Sequence, residues 1–149
     1  MVAPAAREGP RSGEFFAPVP LAFVLLLVVN DRLLKPRFHS ALTGKLSDIA
    51  ICFFLPLFVS ELLGLALGLA PRARLRAGAV VATAVYAGLE VVTPFTHVVI
   101  RALETIGPWF GIVRPFQMTS DWTDLICLLM VPAAVAHGQW RLGVLGQLK

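Results

Sequence analysis

Lys45, Asp48 and Cys52 stand three and four residues apart, the spacing that places side chains on one face of a helix. Asp121, Asp124 and Cys127 repeat that theme later in the chain. A third set, Thr83, Tyr86, Glu90, Thr93 and His97, steps by 3, 4, 3 and 4 and draws one polar stripe. Carboxylates, an ammonium, a phenol and an imidazole bind ions, hold protons or pass them on. The chemistry open to such a set is handling of an ion or proton, binding of a small polar solute, or hydrolysis by an Asp48–Asp124 acid–base pair. The signatures of other chemistries are missing: there is no Walker A, G-x-S-x-G, H-E-x-x-H or C-x-x-C sequence. Ser47 and Lys45 lie two apart and face different directions, so they make no nucleophile–base pair. No catalytic residue is assigned, and the sequence names neither a metal nor a cofactor.

These groups stand out because so little else is polar. The 149 residues are 57% hydrophobic and 15% charged, with a mean hydropathy of +0.77. Apolar blocks alternate with short charged turns, the pattern of a polytopic membrane protein. A crossing needs ~20 residues, which leaves room for four. The expected fold is therefore an all-α bundle of four transmembrane helices, over residues 18–34, 47–70, 77–100 and 123–140. Residues 1–14, rich in Ala, Pro, Gly and Arg, read as a disordered tail, and residues 15–149 as a single transmembrane domain. The first span lacks an A-x-A cleavage site and is expected to be retained.

Local signals mark the ends. Pro18 and Pro20 suit a helix start, Lys35 and Pro36 a stop, and Thr43 or Ser47 a cap for the second span. Residues 71–76 reverse the chain. The third span either kinks at Pro94 and runs to Ile100, or stops at Thr93 and gives way to a short interfacial helix over residues 95–106. Trp109, Phe110 and Phe116 follow as interface aromatics. Asp121 or Ser120 caps the fourth span, and Cys52 and Cys127 read as small buried hydrophobes. Ser60, Gly64 and Gly68 recur every four residues, a small-residue face that lets another helix approach closely.

Connectivity gathers the polar residues. With four spans, Asn30, Asp31, Arg32, Lys35, Lys45, Asp48, Asp121 and Asp124 all fall on one side of the bilayer. The stripe holding Glu90 should face the bundle interior. The candidate site is thus Lys45, Asp48, Glu90, Asp121 and Asp124, supported by Asn30, Lys35, Tyr86, Thr93 and His97. A blander reading stands beside it. Aspartates at a helix start favour its positive end by ~0.3–1 kcal/mol; Lys45 would neutralise Asp48, and Glu90 would bond to Lys45 or Tyr86. Glu61 lies on the opposite face of its helix, to pair with an arginine of the 71–76 turn or to face a second subunit. The compact Arg72, Arg74 and Arg76 favour both termini being cytoplasmic. The net charge of +4 fits juxtamembrane arginines and calls for no nucleic acid. The expected partner is the lipid bilayer, with a second copy or another membrane protein on the small-residue face.

The segments Asn30 to Lys35, Thr43-Gly44-Lys45-Leu46-Ser47-Asp48 and Asp121-Trp122-Thr123-Asp124-Leu125 together resemble a group of small uncharacterised bacterial membrane proteins. The resemblance covers the first two spans and the last, and T-G-K-L-S-D is its most specific part. It implies the bacterial cytoplasmic membrane and carries no activity with it. The lipoprotein signal peptidase is similar in size and in owning an aspartate pair, but its asparagine-and-aspartate motifs are missing here. Three functions stay open: an ion, proton or solute site for transport or sensing; a non-catalytic subunit or scaffold acting through helix association; and an intramembrane hydrolase.

Overall fold

The computed structural model describes residues 13–38, 40–110 and 121–147, and over them the chain is all-helical with no strand. Pro18 opens α1 (Pro18–Val29), where its missing N–H leaves nothing unpaired. The stop expected at Pro36 does not occur. The helix widens into a π turn over Asn30–Leu34 and continues as α2 (Lys35–Phe38), with the Lys35 N–H donating to the Asn30 carbonyl five residues back. A proline ring crowds the carbonyl four residues before it, and a widened turn makes room for that carbonyl.

Ser40 caps α3 (Ala41–Leu67), accepting the Thr43 N–H on its hydroxyl at 3.3 Å. The helix therefore starts earlier than a Thr43 or Ser47 cap would allow. It ends at Gly68, whose φ of 60° is the left-handed conformation that favours glycine. Gly68 is thus a helix stop, and an added Cβ there would meet nothing within 4 Å inside the chain. Pro71 occupies the first turn of α4 (Pro71–Val91), so the arginine segment expected as a reversing turn is helix. At Val91 α4 breaks. Pro94 has no N–H to offer the Glu90 carbonyl, and α5 (Thr93–Ile106) leaves at 106°. The Thr96 hydroxyl fastens the corner by donating to the Leu89 carbonyl at 2.7 Å. A 3-10 turn, Gly107–Phe110, follows. Asp121 caps a 3-10 run over Trp122–Leu129, which leads into α6 (Met130–Gln147).

α3 is the hub, packed against α1, α4, the 3-10 run and α6. Cys52, Tyr86, Cys127 and Val131 form one buried layer, in which both cysteines are buried, as expected, and carry free thiols. Phe53, Leu57, Leu75 and Ala134 form a second, where Phe23 stacks on Phe53 at 4.1 Å between ring centres. Helix α4 comes closest at Gly78, where an added Cβ would sit 2.5 Å from the Pro56 carbonyl and 2.7 Å from the Ser60 nitrogen. Only hydrogen fits there, so the backbones meet directly.

The end of the bundle where α3 stops and α4 starts is tied by a buried ion triad. Arg74 donates through Nη2 to both Glu14 carboxylate oxygens, at 2.9 and 2.8 Å, and through Nη1 to Glu61 Oε2 at 2.9 Å. Glu14 lies in a 3-10 turn, Glu14–Phe16, and is buried, although the sequence reading placed it in the tail. Residues 1–12 of that tail, and Phe116 with Ser120, lie outside the described residues.

Among the described residues, two segments, Leu42–Leu67 and Trp122–Gly143, are long and apolar enough to cross a membrane. The bent pair Pro71–Val91 and Thr93–Trp109 makes a third if taken as one. The first expected span falls short on its own. The apolar α1 has 12 residues, about 18 Å at 1.5 Å each, before Asp31, Arg32, Lys35 and Arg37.

Candidate acidic site

At the opposite end, the π turn, the first turns of α3, the last turn of α4 and the start of the 3-10 run come together. The early start of α3 places Lys45, Ser47 and Asp48 one to two turns inside the helix, so Asp48 is no first-turn acid. Asn30, fully buried in the π turn, donates its amide to the Thr43 carbonyl at 2.6 Å and to Ser47 Oγ at 2.7 Å. Ser47 in turn donates to Asp31 at 2.8 Å, and Asp31 pairs with Lys35 at 2.8 Å. Both amide hydrogens of Asn30 are thereby placed, which fixes the orientation of its amide. Its carbonyl oxygen is buried and has no partner among the described residues.

Lys45 shares a helix face with Asp48 but reaches across to the 3-10 run. It forms an ion pair with Asp124 and donates to Thr123 Oγ1 at 3.3 Å. Asp124 also offers its backbone carbonyl to the Tyr86 hydroxyl at 3.4 Å. Glu90 pairs with neither Lys45 nor Tyr86; it accepts the Asp121 N–H at 3.0 Å. Asp121 accepts the Thr123 N–H at 2.9 Å, and this bond holds its carboxyl below the usual aspartate range.

Asp48 is left over. It is half-buried and has no hydrogen-bond or ion-pair partner among the described residues. The charges acting on it are Asp124 and Glu90 against Lys35 and Lys45. Asp48 and Asp124 therefore differ sharply in environment, one unpaired and the other tied to a lysine.

The structure brings Lys45, Asp48, Glu90, Asp121 and Asp124 to one end, with Asn30, Lys35 and Tyr86 around them. It does not bring Thr93 and His97. The polar stripe breaks with α4, and both residues stand exposed on α5, turned away by the 106° bend. Of the small-residue face, Ser60 and Gly64 are used inside the chain: Ser60 meets Gly78, and Gly64 lies under the Arg74 side chain. Glu61 finds an arginine of the 71–76 segment, one of its two expected partners. Sequence reasoning left out the Asn30–Ser47–Asp31 relay, whose only signal is an asparagine and an aspartate breaking an apolar run. It also missed Glu14, signalled only by its place before Phe15 and Phe16. Among the described residues, no three His, Cys, Asp or Glu side chains are arranged to share a metal ion.

No family model matches this chain, and neither the curated proteins nor the solved structures include a match.

Proposed function

We propose that the chain is a small bacterial cytoplasmic-membrane protein whose bundle crosses the bilayer four times. At one end it holds an acidic site for an ion, a proton included, or for a small polar solute. Asp48 carries this reading. Asp31, Asp124, Glu90 and Asp121 each have a partner, and among the described residues Asp48 alone of these acids has none. A half-buried carboxylate without a partner costs stability, and such costs gather at functional sites. The buried Asn30 carbonyl has the same deficit, an acceptor without a donor. A cation or a hydrogen-bond donor is what each of these two acceptors lacks among the described residues. A proton or a monovalent cation suits so sparse a set of oxygens better than calcium or magnesium, which take about six or more.

The membrane setting is supported by the segments of spanning length and by the large apolar side chains exposed on them, such as Leu42, Leu65 and Leu129. The helical run over residues 18–38, about 30 Å long, and α4 supply the other two crossings. Arg74 is neutralised by Glu14 and Glu61, so Arg72 and Arg76 carry the argument for cytoplasmic termini. The T-G-K-L-S-D segment, where the likeness to bacterial membrane proteins is most specific, holds both Lys45 and Asp48.

The test is thermal unfolding in detergent, for wild type and Asp48→Asn, across pH and across sodium, potassium, magnesium and calcium at constant ionic strength. A saturable rise for the wild type with one cation, or with protons, that is lost in Asp48→Asn is expected. Identical responses of the two proteins under every condition would remove the reading.

A further inference from the structure

Helix α5 packs against α4 and the 3-10 turn that follows it, and against no other helix among the described residues. Its side chains sort into three lanes. Thr96, Val99, Ile100 and Leu103 are buried or half-buried. His97, Arg101, Glu104 and Thr105 are polar and exposed. Phe95, Val98, Ala102, Ile106 and Trp109 step by 3, 4, 4 and 3, a single stripe at helical period, and all five are exposed. A stripe of this regularity, adjoining a polar lane, is the pattern of a helix lying at a boundary between water and an apolar medium.

The geometry says which boundary. The 106° bend sends α5 sideways from the end of α4, across the direction in which α4 runs. The stripe continues apolar surface at the corner, where Val91 and Val92 are also exposed. Trp109, 86% exposed at the far end of the stripe, has an amphipathic ring of the kind that settles at headgroup level. We infer that α5 is a membrane-surface helix, its stripe seated at the headgroup–acyl boundary on the side of the acidic site, with α4 alone as the third crossing. The inference rests on the membrane reading above and decides between the two courses that the sequence leaves open at Pro94.

The test reads depth by fluorescence in phosphatidylcholine vesicles carrying bromine either near the headgroup end or near the tail end of the acyl chain. One protein keeps Trp109 as its only tryptophan, through Trp122→Phe and Trp140→Phe. The other replaces all three native tryptophans by Phe and carries Val80→Trp, an exposed position midway along α4. Stronger quenching of Trp109 by shallow bromine, with the order reversed for Val80→Trp, is expected. Val98→Ser with Ile106→Ser should then weaken the quenching of Trp109 and leave that of Val80→Trp unchanged. Trp109 unquenched beside a quenched Val80→Trp would overturn the inference, since water or protein would cover the stripe. Equal depth for both would overturn it too, as α5 would then belong to a crossing. If neither is quenched, the membrane reading itself falls and takes this inference with it.

Discussion

Asp48 and Asp124 are chemically identical, yet their expected responses to neutralisation have opposite signs. Asp48→Asn removes a half-buried charge that has no hydrogen-bond or ion-pair partner among the described residues, so the unfolding midpoint in detergent should stay or rise. Asp124→Asn strands Lys45, and a partly exposed pair of this kind contributes about 0.2–1 kcal/mol. Glu90→Gln weakens the bond to the Asp121 N–H and should cost about 1 kcal/mol. A matching loss in all three variants would mean that Asp48 has a structural partner after all. The largest single-residue effect belongs to Arg74. Arg74→Met leaves two buried carboxylates uncompensated and should cost about 3–5 kcal/mol, with part recovered when Glu14→Gln and Glu61→Gln are added. Chemical denaturation of the wild type, Arg74→Met and the triple variant measures this directly. Residue types were legible from spacing: Lys45 and Asp48 do share a face, and Asp121 does cap its helix. The partner of Lys45 was not. Spacing along one helix says nothing about which neighbour stands opposite, and a lysine is long enough to choose the neighbour.

At the scale of elements, two glycines of α3 and α4 separate space from conformation. Gly78→Ala would drive a methyl group into the backbone of α3, where neither Pro56 nor Ser60 can swing aside, and should cost about 1–3 kcal/mol. Gly44→Ala meets nothing within 4 Å and should raise stability by about 0.5–1 kcal/mol, through the lower entropy of the unfolded chain. Comparing the two midpoints tests whether the α3–α4 approach is as close as described. Helix positions followed from hydropathy, since each apolar block became a helix. Their ends moved because caps compete: Ser40 won over Thr43 and Ser47, and Pro71 opened α4 within the arginine segment. Pro94 could be read as a kink or a start, and the direction of α5 came from a corner that includes the buried Thr96 hydroxyl. That bond joins residues seven apart around a bend, which no helical period reveals.

For the whole molecule, the polar residues divide between two ends of one bundle. The acidic end is proposed to bind; the end at Arg74 is tied by an ion triad, although Ser60 Oγ, Glu61 Oε1 and Arg74 Nε there are also buried without a hydrogen-bond partner among the described residues. The gathering of Asn30, Lys45, Asp48 and Asp124 was legible from connectivity, because it needs only that successive helices run back and forth. The triad was less so, since Glu14 sits beside a stretch whose composition reads as disordered. The triad also sets an order of assembly. On a chain made from its N-terminus, Glu14 and Glu61 both emerge before Arg74. The first pair of long helices is therefore complete in length while two of its carboxylates still lack their cation, and the opening turn of α4 supplies it. A fragment ending at Leu67 would carry those acids unneutralised into whatever medium received it. Extending the fragment through Ala77 should make it markedly more resistant to proteolysis, and equal resistance of the two fragments would show that the hairpin matures without its clasp.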